Sequence, residues 1–76
     1  MLLDKLRDQN TKLLYISEKN NDQSAISKHL VIKELLKFDN CFQRLSIEEA
    51  RTILETLKVT DWKQTYAQLL IENKKQ

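Results

Sequence analysis

Residues 45–62 read LSIEEARTILETLKVTDW. Ser46 stands where a helix N-cap belongs. Glu49, three residues on, completes a capping box, in which each side chain accepts a hydrogen bond from the other's backbone N–H. Leu45 and Ala50 occupy the positions of a hydrophobic staple. Glu48 and Glu49 suit the positive end of a helix dipole. Ile47, Ala50, Ile53, Leu54 and Leu57 then recur at helical spacing on one face, with Glu48, Arg51, Thr52, Glu55 and Thr56 opposite. "KVT" (58–60) follows, with Thr60 or Asp61 as the cap of a further helix and Gln64 three residues after Asp61. The stretch therefore predicts a C-terminal helical hairpin or bent pair.

That last helix carries TDWKQTYAQLL (60–70) and is expected to fray into ENKKQ (72–76). Trp62, Tyr66, Leu69 and Leu70 share a face there. Core is the expectation for them, with the polar tips of Trp62 and Tyr66 at the rim, because large aromatic side chains dominate small cores. Ile71 points away from this stripe.

Upstream, Leu2, Leu3, Leu6, Leu13, Leu14 and Ile16 fit one broad face of a first helix from about Leu3 to about Glu18, interrupted by Gln9 and Asn10. SEKNNDQS (17–24) is polar and rich in turn formers, so it reads as a loop. A second helix begins at Asp22 or Ser24, either of which can cap it, and reaches about Phe38. It carries three apolar stripes: Val31, Leu35 and Phe38; Ile32 and Leu36; Ile26 and Leu30. A helix apolar on several sides is buried or shared, so it is expected to be the central one. In FDNCFQRL (38–45), Asp39 and Asn40 end that helix, and Phe42 and Leu45 return to the core from a short turn.

The chain has no glycine and no proline. Tight hairpins favour glycine at positive φ, whereas helices with short Asn- or Asp-containing connections do without it. The fold class predicted is all-α: a small four-helix bundle, or three long helices plus one short, forming a single helical domain over residues 1–76.

The chemistry of the side chains narrows function. Cys41 and His29 are the only cysteine and histidine, so neither an internal disulfide nor a cluster of soft metal ligands is expected. Without glycine there is no P-loop, dinucleotide fingerprint or nucleophile elbow. Glu48 and Glu49 are adjacent on a helix and diverge. No catalytic residue, cofactor or metal is expected. Thirteen basic against eleven acidic residues leave a net charge of +2, a weak drive toward nucleic acid or lipid. No apolar run approaches the length of a membrane span, and charge interrupts the leucines of MLLDKLRD at once, unlike a signal peptide. A free thiol fits a reducing, cytoplasmic setting.

A domain this small buries only about 60% of its unfolded surface, and association is the remaining aid to stability. The expected function is a non-catalytic protein-binding module: a small regulatory protein, an inhibitor or immunity-type neutraliser, or a small subunit. Its partner is another protein or a second copy. Leu3, Leu6, Asn10 and Leu13 follow an a/d spacing with Asn10 at an a-like position, where asparagine can fix register in a dimer. With His29, Ile32 and Leu36 of the second helix they are the candidate partner-binding residues. His29 otherwise reads as a packing histidine. The alternative is a helix-turn-helix-like DNA-binding protein, with Lys63, Gln64, Thr65 and Gln68 reaching bases or phosphates. Scattered basic residues and the acids of the preceding helix argue against it.

Overall fold

In the computed structural model, which describes residues 2–74, five helices follow one another: α1 (Leu2–Lys19), α2 (Gln23–Leu35), α3 (Cys41–Arg44), α4 (Ile47–Thr56) and α5 (Trp62–Lys74). No strand occurs among the described residues, and the chain is a helical bundle. The helix expected to fray continues through Lys74, and Lys75 and Gln76 lie outside the described residues.

Local chemistry explains the helix ends. Ser46 Oγ accepts from the Glu49 N–H at 3.2 Å, and the Ser46 N–H donates to Glu49 Oε1 at 3.0 Å, so the capping box forms as read. The backbone and hydroxyl of Ser46 hold the Glu49 carboxyl below the usual range. Helices α1 and α4 both stop in the same way. Asp22 N–H reaches Ser17 O and Asn21 N–H reaches Glu18 O; Val59 N–H reaches Leu54 O and Lys58 N–H reaches Glu55 O. These paired bonds define Schellman stops, whose penultimate residue must be left-handed. Asn21 (φ 54°) and Lys58 (φ 65°) take that role without glycine. Asp22 serves twice, since its side chain also accepts from the Ala25 N–H and caps α2.

Asparagine tolerates the left-handed region, but lysine has a Cβ that crowds the carbonyl. Lys58→Gly should therefore raise stability by about 0.5–1 kcal/mol, the left-handed penalty less glycine's extra unfolded-state freedom. Urea denaturation checks this, and a loss of stability would contradict it.

One apolar cluster draws on every helix: Leu3 and Leu6 from α1, Ile32 from α2, Cys41 and Phe42 from α3, Ala50, Ile53 and Leu54 from α4, and Leu69 from α5, with Leu36 and Leu57 at helix ends. Trp62, Tyr66 and Leu70 are partly buried against it and Leu69 is enclosed, so the aromatic face of α5 closes the chain's own core from its rim. Arg51 and Lys63 lie 5.5 and 5.9 Å from the Trp62 ring, in cation–π range. Cys41 is enclosed, and burial pushes its thiol up, which keeps it protonated and unreactive near neutral pH.

Three expectations need correction. The segment around Phe42 is not a plain turn but the short helix α3, which inserts Cys41 and Phe42 into the core. Helix α2 is not central: its extensive packing is against α1, whereas α5 touches α4, α1 and α3. It also ends at Leu35 rather than Phe38. Past Leu35 the bonds tighten to Lys37 N–H to Glu34 O and Phe38 N–H to Leu35 O. The Leu36 carbonyl is taken by Arg7 Nε of α1 at 2.6 Å, and the same guanidinium pairs with Asp4 and Asp39. The molecule measures 39 × 20 × 18 Å, which at about 10 Å per helix is two helices thick. With no third layer, α2 can bury one side only.

Candidate partner-binding groove

The seven residues singled out by spacing do come together, on the seam between α1 and α2. Leu3, Leu6, Asn10, His29, Ile32 and Leu36 are buried and Leu13 is half-buried. In the folded monomer they are therefore committed to the chain's own packing. Asn10 at its a-like position finds its mate within the chain. Its Nδ2 donates to the His29 carbonyl at 3.0 Å, and its Oδ1 lies 2.9 Å from His29 Nδ1. With Nδ2 given to the carbonyl, Oδ1 must accept, so Nδ1 carries the ring proton. Burial holds the imidazole below its ordinary pKa, and the charges of Lys58 and Lys28 push it the same way.

The neighbouring stripe of α2 is more open, and Leu30 of the third stripe is exposed too. Val31 is 60% exposed and Phe38 57%, with Leu35 half-buried between them. A groove of about 390 Å³ runs between α2 and α4, lined by Ser27, Lys28, Val31, Ile32 and Leu35 on one side and Thr52, Ile53 and Thr56 on the other. Leu35 also lines a smaller hollow of about 160 Å³ with Phe38, Cys41, Arg44 and Leu45. Of the residues lining the larger groove, Ile32 and Ile53 belong to the core cluster. Lys28 lines the larger groove and Arg44 the smaller hollow, and both are exposed. Among the described residues neither meets a carboxylate within ion-pair distance.

The stripe of Val31, Leu35 and Phe38 was visible in the sequence, but Lys28, Arg44, Leu45, Ile53 and the threonines were not assembled with it. Their signal was indirect: α4 turns Thr52 and Thr56 toward this side, small polar residues that leave room beside an apolar ridge.

Other sites are less open. A cleft of about 200 Å³ beside Asn10 is lined by Arg7, Thr11, Lys33 and Lys37. Arg7 is already held by Asp4 and Asp39, and Lys37 pairs with Glu34 at 3.1 Å. The residues of the DNA-binding alternative sit on α5, with Lys63, Gln64 and Gln68 exposed and Thr65 half-buried. Leu57–Asp61 separates α4 from α5, longer than the turn of a helix-turn-helix. Among the described residues no group of three or more His, Cys, Asp or Glu is placed to hold a metal ion, and no helix is long and apolar enough to cross a membrane.

A scan against protein-family models, a search of curated proteins and a search of solved structures each returned no match. The class is thus set by the coordinates alone: a helical bundle with an apolar trough open between two of its helices.

Proposed function

We propose that this chain is a non-catalytic, intracellular protein-binding module, and that it works by covering the groove between α2 and α4 with part of another molecule. The observation that carries the reading is the exposure of Val31 and Phe38 (60% and 57%) beside a core already filled by Ile32, Leu36 and Phe42. Scattered exposed apolar residues are ordinary, but a contiguous apolar channel with polar edges marks an interaction surface. An open trough between two helices suits a third helix better than a small molecule, which pockets usually enclose on most sides. A regulator, a neutralising inhibitor and a small subunit of an assembly all act in this way.

The test is capture from native lysate by the wild-type chain and by the Val31→Gln/Phe38→Gln variant, followed by intact-complex mass. A protein held by the wild type and lost by the variant supports the reading. A mass of two chains, lost in the variant, makes it a homodimer through the groove. If both chains hold the same species, the groove is not the binding surface.

A further inference from the structure

We draw no further inference here: the strongest candidate, the apolar groove between α2 and α4, belongs to the site already described, and nothing in the structure shows what covers it.

Discussion

Phe42→Ala is expected to remove about 3–5 kcal/mol of stability, the usual cost of deleting a buried aromatic ring. Phe42 is 2% exposed and is among the largest fully enclosed side chains. It sits on a helix of only four residues, which has little stability of its own. The ring is what holds α3 in place. Its loss opens a cavity beside Leu36 and Leu54, also almost fully buried. A chain of this size has roughly 4–11 kcal/mol in total at 0.05–0.15 kcal/mol per residue. The variant should therefore be partly unfolded at room temperature by circular dichroism. A loss under about 1 kcal/mol would mean that α3 is not seated in the core.

Asn10→Ala should cost about 2–4 kcal/mol, because it leaves the buried His29 ring N–H without an acceptor and opens a small cavity. Removing both polar partners should be milder. Asn10→Leu/His29→Leu is expected within about 1 kcal/mol of wild type, since a buried pair replaced by apolar groups of similar size is often neutral. Among the described residues every buried side-chain N or O has a partner, so this pair meets a requirement of the fold rather than departing from it.

The same pair gives stability a pH dependence with a definite sign. The folded His29 pKa lies below the unfolded value of about 6.5 because burial, then Lys58 and Lys28, disfavour the cation. Between the two values the unfolded chain binds more protons, so stability rises with pH. The contribution is complete above about 6.5 and is lost as pH falls from there toward the folded value. His29 is the only histidine, so the slope of melting temperature between neutral pH and the carboxylate range belongs to it. His29→Gln should flatten that slope; a slope that persists would assign it elsewhere.

What could be read ahead of the structure was mostly local. The capping box at Ser46 and Glu49 depends on residues three apart. The α1–α2 turn depends on a run of Asn and Asp. Both formed where composition placed them. Helix α3 was not legible, because CFQR is too short to show a period and exists only because Phe42 has a pocket to enter. Its three apolar stripes made α2 read as the central helix, whereas it turns chiefly one stripe inward. Ile32 with Leu36 and Val31 with Leu35 are equally apolar, so hydrophobicity could not choose. The choice belongs to Asn10: its amide needs partners, and bonding the His29 carbonyl and ring turns the side of Ile32 and Leu36 toward α1. That left Val31, Leu35 and Phe38 outward, and moved the candidate site from the seam with α1 to the groove with α4.

The openness of that groove is the point on which the rest turns, and urea unfolding of Val31→Gln/Phe38→Gln tests it most directly. Residues that rest on a free surface can become polar at little cost, so the unfolding free energy should stay within about 0.5 kcal/mol of wild type. A loss of about 2 kcal/mol or more, the cost of emptying a packed core position, would show that these side chains already lie inside the protein and that no trough is open to a partner.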